Sequence, residues 1–175
     1  MIQKVTGSAF ALQAQSEKYT GVPYSKLDCQ GFVEEVLKNC GVRKPDGSIY
    51  NWKGSNSMWR NALSWKGTLE ECRKAFGSIP LGAWVFIVKN DGGEIDRGYE
   101  DNEGNACHVG IYCREGTEPV RDSTKSNTRY GVGYRKLSGF THVGLPKMIT
   151  FGKTSISKDE ALKALETLTK YIQEV

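Results

Sequence analysis

The clearest pattern of apolar and polar positions lies between residues 28 and 41. Apolar side chains recur there at helical spacing, namely Phe32, Val33, Val36, Leu37 and Cys40. Asp28 stands where a helix N-cap belongs, and Gly41 stands where a glycine commonly ends a helix. The pattern predicts a helix with Cys29 in its first turn, facing the core side.

Two other helices in the first half of the chain are indicated by capping and stop signals. Residues 8–19 are predicted to be helical, with Ser8 as the N-cap and residues 21–23, which contain a glycine and a proline, as the stop. Residues 68–71 read Thr-Leu-Glu-Glu, which is a capping box that opens a short helix.

The period of the pattern changes after residue 80. Residues 83–88 are continuously apolar and predict a buried strand. Residues 107–113 alternate, so one face is expected to carry Cys107, Val109, Ile111 and Cys113, and the other His108, Gly110 and Tyr112. Further strands are predicted at residues 119–123, 131–137 and 142–149. Helices followed by antiparallel strands indicate an α+β fold.

A chain of 175 residues has room for one domain with a core and one appended element. We assign the domain to residues 1–150, and residues 151–175 to a linker and an amphipathic C-terminal helix. Residues 41–78 carry seven basic and three acidic side chains, whereas residues 89–104 carry two basic and six acidic ones. Both segments are expected to be solvated surface inserts, with charge at the rim of a binding cleft as the alternative.

Composition excludes several classes of protein. Hydrophobic residues make up 38% of the chain and charged residues 25%, which is typical of a globular rather than a disordered protein. The longest apolar run, residues 83–88, is far shorter than the ~20 residues of a membrane span. The first fifteen residues lack the continuous apolar stretch of an export signal, so we expect them to be mature protein made in the cytoplasm.

The chain has five cysteines, an odd number without the paired spacing of a zinc knuckle, and only two histidines. A metal site is therefore not expected. The odd count indicates a reducing compartment or one thiol with a function. Four thiols are interpreted as small core residues, namely Cys40, Cys72, Cys107 and Cys113. Cys29 is the exception because of its place at a helix N-terminus.

A helix N-terminus alone activates a thiol too weakly for catalysis. It stabilises an anion by about 0.3–1 kcal/mol, whereas one pKa unit corresponds to about 1.4 kcal/mol. Cys29 therefore needs a cationic partner, and histidine is the natural candidate. His108 is preferred because it projects from an alternating strand, opposite the apolar face and next to Gly110. His142 is interpreted as structural.

Four short motifs follow one another along the chain: GVPY at residues 21–24, DCQGFV at 28–33, LGAWVF at 81–86 and HVGIY at 108–112. In this order they resemble the motifs of the NlpC-type, papain-like peptidases of bacterial cell walls, over roughly residues 7–150. The resemblance implies helices packed on a central antiparallel sheet. It also implies a cysteine peptidase that cuts the stem peptides of peptidoglycan (murein), often between D-glutamate and the diamino acid.

By position, the resemblance makes Cys29 the nucleophile and His108 the general base. A third polar residue orients the histidine in this family, and Asp122 matches that place best. The alternatives for the third residue are Ser123, Asn127 and His142.

Tyr24 is expected to line the site and to help hold the oxyanion alongside the backbone N–H of the nucleophile. Asp28, Gln30 and Trp59 are the other candidate substrate-binding residues. For Asp28 the simplest role is the helix cap, and for Trp59 packing within its insert is an equal alternative. Two positions depart from the family pattern, because Gln30 replaces a serine and Ala83 replaces an aspartate.

The resemblance implies murein stem peptides as the partner, and neither a cofactor, a nucleic acid nor a membrane is expected. The net charge of +4 suits an anionic wall. Release through a holin or carriage in a phage particle would bring a protein without an export signal to the wall, so a phage origin, with phage structural proteins as further partners, is a hypothesis. A monomer is expected. Two alternatives are a CHAP-like murein amidase and a catalytically silent wall-binding or tail-structural module on the same fold.

Overall fold

The computed structural model describes residues 4–126 and 130–152. Its strands are β1 (Val5–Thr6), β2 (Leu63–Thr68), β3 (Trp84–Lys89), β4 (Asn105–Tyr112), β5 (Val120–Thr124), β6 (Gly131–Arg135), β7 (His142–Pro146) and β8 (Ile149–Thr150). Strands β2 to β7 form one antiparallel sheet in the order β2-β7-β3-β4-β5-β6. Strands β1 and β8 form a separate parallel pair, with Val5 beside Ile149.

The described residues also form four α-helices, which are α1 (Gly7–Ala14), α2 (Cys29–Asn39), α3 (Ser55–Asn61) and α4 (Leu69–Phe76). Helices α1, α2 and α3 pack on one face of the sheet, and α4 packs on the other. The predicted α+β class is confirmed, with a mostly antiparallel sheet.

Strand β3 shows how the sheet separates two apolar clusters. Trp84 and Phe86 face α1, α2 and α3, whereas Val85 faces α4. All three side chains are fully buried. Because helices cover both faces of this strand, its sequence is continuously apolar instead of alternating.

Helices α2 and α4 begin where the sequence predicts. Asp28 caps α2 by accepting a hydrogen bond from the Gly31 N–H at 2.7 Å, and Gly41, with φ of +74°, follows the helix. At α4 the Glu71 N–H donates to Thr68 Oγ1 at 3.1 Å, and the Thr68 N–H donates to Glu71 Oε2 at 2.7 Å. Both predicted caps are confirmed.

The first helix begins earlier and ends sooner than predicted. Thr6, and not Ser8, is its N-cap, because the Ala9 N–H donates to Thr6 Oγ1 at 3.2 Å. Gly7 allows this start, since a Cβ at that position would lie 2.2 Å from the carbonyl oxygen of Leu81. Helix α1 stops at Ala14, and a separate 3-10 turn follows at Glu17–Tyr19.

The basic segment, residues 41–78, is more than the surface insert expected from sequence. It contributes α3, whose Met58 and Trp59 are buried, and β2, which pairs with β7 at one edge of the sheet. Helix α3 has no side-chain cap and follows Gly54, and β2 has a register shift after Leu63. Helix α3 therefore lacks a capping signal and β2 lacks a regular register, which explains why the sequence does not predict either element.

The two oppositely charged segments contact each other. Arg60 of α3 donates two hydrogen bonds to Asp101, at 2.6 and 2.7 Å, and its guanidinium lies 4.3 Å from the centre of the Tyr99 ring. Lys66 of β2 forms an ion pair with Glu103. The segments are therefore not independent solvated inserts, because two ion pairs join the acidic segment to α3 and β2 of the basic segment.

A β-bulge changes the face on which Cys107 lies. In the β3–β4 ladder Ile87 pairs with His108, but Val88 pairs with Ala106, so Cys107 is the extra residue of the bulge. Ala106 is fully buried, whereas Cys107 is exposed. The expected core position of Cys107 is wrong because the extra residue reverses the alternation.

The predicted C-terminal helix and Asn127 lie outside the described residues. Among the helices that are described, none has the length and apolar character needed to cross a membrane.

Candidate functional site

Cys29 is the first residue of α2, directly after its cap Asp28. The N–H groups of a first helical turn lack partners within the helix and favour a negative charge nearby. Cys29 packs against the core and keeps 7% of its surface exposed. The sequence therefore places a largely buried thiol at a helix N-terminus.

His108 projects from β4 towards β5, where Asp122 holds its ring. His108 Nε2 lies 2.5 Å from Asp122 Oδ2, and the Asp122 side chain has no exposed surface. Nε2 is therefore occupied by the carboxylate, which leaves Nδ1 as the ring nitrogen that can serve a reacting group. Asp122 is the residue matched from sequence to the third position, and the structure brings it to His108.

Gly110 makes this approach between β4 and β5 possible. A Cβ at Gly110 would lie 2.7 Å from Val120 Cγ1 and 3.1 Å from the Cβ of Asp122. Gly110 is two residues from His108 on the same strand, so it shares the face from which the imidazole projects. The absence of a side chain at Gly110 therefore lets Asp122 pack next to it and reach His108.

The Cys29 thiol lies close enough to the His108 imidazole to affect its protonation. Burial alone lowers the pKa of His108, but the hydrogen bond to Asp122 and the interactions with Cys29 outweigh it and raise this pKa to about 9. His108 is therefore protonated at neutral pH. A protonated His108 can donate a proton to a reacting group next to the sulfur.

A second cation, Arg135 of β6, meets the same carboxylate. Arg135 Nη1 donates to Asp122 Oδ2 at 2.8 Å and lies 3.4 Å from His108 Nε2. Sequence reasoning missed Arg135, because a lone arginine in a strand carries no motif. The signal that could have found it is its position in a predicted strand that follows the strand of Asp122.

Tyr24 also lies near Cys29. Burial, and then the charge and hydrogen bond of Cys29, raise the pKa of Tyr24 to about 12. Its hydroxyl therefore keeps its proton at neutral pH and can donate a hydrogen bond. The Lys125 ammonium lies 5.2 Å from the centre of the Tyr24 ring.

Gln30 is fully engaged by neighbouring groups of the protein. Its amide nitrogen donates to the carbonyl of Trp52 and to Glu34 Oε1, the latter at 2.8 Å, and its Oε1 accepts from the Gly54 N–H at 2.5 Å. In this arrangement Gln30 ties α2 to the start of the basic segment. Its predicted contact with substrate stays a prediction, as does that of Asp28.

The placement of Trp59 does not support contact with a substrate. Only 4% of its surface is exposed, and its ring packs edge-on against Phe86 and His142 at 5.2 and 5.4 Å. The indole N–H donates to the carbonyl of Glu103 at 3.2 Å. Trp59 is thus part of the core beneath α3, which is the packing alternative.

Ser123 and His142, two alternatives to Asp122 as the residue that orients His108, form hydrogen bonds with other groups. The Ser123 hydroxyl donates to the carbonyl of Leu27. His142 Nδ1 lies 2.9 Å from Thr141 Oγ1, and burial lowers the pKa of this imidazole.

The remaining thiols differ from Cys29 in their surroundings. Cys72 and Cys113 are buried, and burial raises the pKa of each to about 11. Cys40 is half-buried, and burial raises its pKa too. Cys107 is exposed, with its sulfur 3.5 Å from the carbonyl oxygen of Ile87. In the described part of the chain, histidine, cysteine and acidic side chains form no cluster suited to a metal ion.

A cavity of about 340 Å³ borders the site along β5 and β6. Asp122 and Arg135 contribute to its wall together with Thr124 and Gly133. A Cβ at Gly133 would meet no atom within 4 Å, so the space above this residue is open. The cavity offers room for part of a ligand next to the groups that hold His108.

No protein-family model, curated protein or solved structure matches this chain.

Proposed function

We propose that this protein is a cysteine peptidase that hydrolyses amide bonds in the stem peptides of peptidoglycan, on a papain-like fold of the NlpC type. The observation that carries the proposal is the arrangement around His108, whose Nε2 is held by the buried Asp122 and whose ring lies near the Cys29 thiol. These three groups can act as nucleophile, general acid–base and orienting carboxylate. The motif resemblance supplies the substrate class.

In the first half of the reaction, the Cys29 thiolate attacks the carbonyl carbon of the scissile amide. As the tetrahedral intermediate collapses, the His108 imidazolium gives its proton to the leaving nitrogen, the C–N bond breaks and a thioester remains. In the second half, neutral His108 takes a proton from water, which attacks the thioester. The C–S bond then breaks, and the acid product and the thiolate–imidazolium pair are released.

Two donors are suited to the oxyanion of this reaction. One is the backbone N–H of Cys29, which as the first residue of α2 has no hydrogen-bond acceptor within the helix. The other is the Tyr24 hydroxyl, which keeps its proton because its pKa is raised to about 12. Such donors stabilise the charge that develops on the carbonyl oxygen.

The resemblance points to the bond between D-glutamate and the diamino acid as the target. The net charge of +4 favours approach to an anionic wall. The same proposal includes a phage or prophage setting, in which a holin or the phage particle brings the enzyme to the wall, and a monomeric enzyme without a cofactor.

Digestion of purified murein, followed by mass spectrometry of the fragments, tests the proposal. We expect new D-glutamate C-termini and new amino groups on the diamino acid. Cys29→Ala should lower the rate of release by at least about 10³-fold, because it removes the nucleophile. Cys107→Ala is the matched control, since it removes an exposed thiol whose sulfur lies next to the Ile87 carbonyl oxygen, and it should digest murein at the rate of the wild type.

The fragments also separate the rival functions. Release of intact stem peptides from the sugar would replace the peptidase proposal by the CHAP-like amidase. Wall binding without any fragment would replace it by the silent module. Equal digestion by Cys29→Ala and the wild type would exclude Cys29 as the nucleophile.

A further inference from the structure

One carboxylate oxygen serves two cations at the centre of the site. Asp122 Oδ2 lies 2.5 Å from His108 Nε2 and accepts a hydrogen bond from Arg135 Nη1 at 2.8 Å. The guanidinium nitrogen is also 3.4 Å from Nε2 itself. The imidazole therefore shares its counter-ion with a permanent positive charge.

We propose that Arg135 is a positioning residue for His108, which acts by fixing the Asp122 carboxylate and by weakening the hold of this carboxylate on the imidazolium proton. The inference rests on the proposed function, in which His108 must give its proton to the leaving nitrogen and later recover one from water. An imidazolium that is held too tightly cannot do the first of these steps.

The burial of Asp122 explains why a second cation is needed. Asp122 has no exposed surface, and among the described residues its Oδ1 has no hydrogen-bond partner. A buried carboxylate that faces only an imidazole strongly favours the protonated ring. Arg135 supplies a second counter-ion to the carboxylate, and its own charge opposes the charge on the ring.

The groups that face His108 come from three elements of the described chain. They are Cys29 of α2, Asp122 of β5 and Arg135 of β6, and Tyr24 lies near Cys29. The Phe140 ring centre lies 5.9 Å from the centre of the imidazole and 5.9 Å from the guanidinium carbon, so it packs against both. Arg135 is thus the cation whose removal changes the field at His108 while the nucleophile and the carboxylate remain.

The test compares Arg135→Gln and Arg135→Lys in the full-length protein. We expect Arg135→Gln to raise the pKa of His108, measured by NMR titration of the imidazole, by about one unit, because a like charge within hydrogen-bond range is removed. The alkaline limb of the pH–kcat profile, which should lie near pH 9 in the wild type, should move up with it. We also expect kcat to fall by about tenfold or more with little change in KM, since Asp122 is less well fixed.

Arg135→Lys retains the charge and should restore the wild-type pKa and most of kcat. Arg97→Gln is the control, because it removes an exposed arginine of the acidic segment and should change neither quantity. If Arg135→Gln does not fold, Arg135→Met serves as the neutral variant. Folding is verified by the thermal unfolding midpoint of each protein.

An unchanged pKa in the neutral variant would overturn the inference, and so would an equal loss of kcat in the lysine and glutamine variants. The titration of His108, and the pH dependence of Cys29 alkylation by iodoacetamide, need no murein. A wild-type protein that cuts no murein would therefore refute the proposed function, while the effect of Arg135 on His108 could still be measured.

Discussion

At the scale of single residues, Gly110 determines how closely Asp122 can approach His108. The space that its missing side chain leaves is taken up by Val120 and by the Cβ of Asp122. Gly133, which pairs with Asp122 from the other side, has open space instead. Two glycines next to the same carboxylate thus have different consequences for the site.

We expect Gly110→Ala to lower kcat about tenfold or more, because the added methyl group pushes Asp122 away from the imidazole. Overpacking should also reduce the free energy of unfolding by about 1–3 kcal/mol. Gly139→Ala is the control, because a Cβ at that position would also meet no atom within 4 Å, and it should change neither quantity appreciably. Kinetics with the murein digest and chemical denaturation measure the two effects, and an active Gly110→Ala would show that the close approach is unnecessary.

The positions of Cys29 and His108 could be predicted from sequence, because a thiol at a helix start and a histidine on an alternating strand are both local patterns. The sequence did not indicate a role for Arg135, and for Trp59 it left packing and substrate contact as equal alternatives. Whether an arginine in a strand meets a carboxylate, and whether a tryptophan is buried, depends on which elements pack together. The neighbours of both residues come from segments that are distant along the chain.

At the scale of elements, the helices that were predicted have signals that are local in the sequence. The helix that was missed depends on contacts with distant segments. Helices α2 and α4 have caps whose hydrogen bonds join residues three apart, so the sequence contains the whole signal. Helix α3 begins at Gly54 without a cap, and β2 is held by its pairing with β7. The bulge at Cys107 is likewise a property of the ladder with β3, so alternation alone misplaced that residue.

The caps of α2 and α4 provide a comparison between stability and activity. Asp28→Ala and Thr68→Ala should each lower the free energy of unfolding by about 1 kcal/mol, because each removes the acceptor for an N–H of the first turn. Only Asp28→Ala should also reduce murein digestion, since α2 carries the nucleophile. Urea denaturation gives the first quantity and the digest gives the second.

Asp28→Asn separates the two roles considered for Asp28. Asparagine is an equally good cap, so stability should be retained. A fall in kcat/KM in this variant would indicate contact with substrate, whereas wild-type kinetics would leave Asp28 as the cap alone.

At the scale of the whole molecule, the pairing of Arg60 with Asp101 joins two segments that are separated by β3. The Arg60 side chain is 7% exposed, and its guanidinium also donates to the carbonyl of Gly104 at 3.1 Å. The hydrogen bond from Arg60 lowers the pKa of Asp101 to about 2. The acidic loop is therefore attached to α3 by an ion pair in which the Asp101 carboxylate stays charged down to about pH 2.

This pKa sets the pH range in which the contact stabilises the fold. A carboxyl with a depressed pKa stabilises the folded state above its unfolded pKa, about 3.9, and loses that contribution as pH falls towards 2. We expect Asp101→Asn to have a lower thermal unfolding midpoint than the wild type at pH 7, and the difference to shrink between pH 4 and pH 2. Glu70→Gln, which removes an exposed ion pair with Lys74, should show little difference at any pH. A difference for Asp101→Asn that does not depend on pH would contradict the role of this charge.

The parallel pair of β1 and β8 has a consequence for how the domain can be joined to other polypeptides. Val5 and Ile149 are direct neighbours across this pair, so the first and last strands of the described residues meet at one place. We expect that residues 5–149 can be inserted between two adjacent residues of a loop in another protein, because the insertion would not push those two residues far apart. The same proximity allows the two ends to be connected by a short bridge and new ends to be created elsewhere.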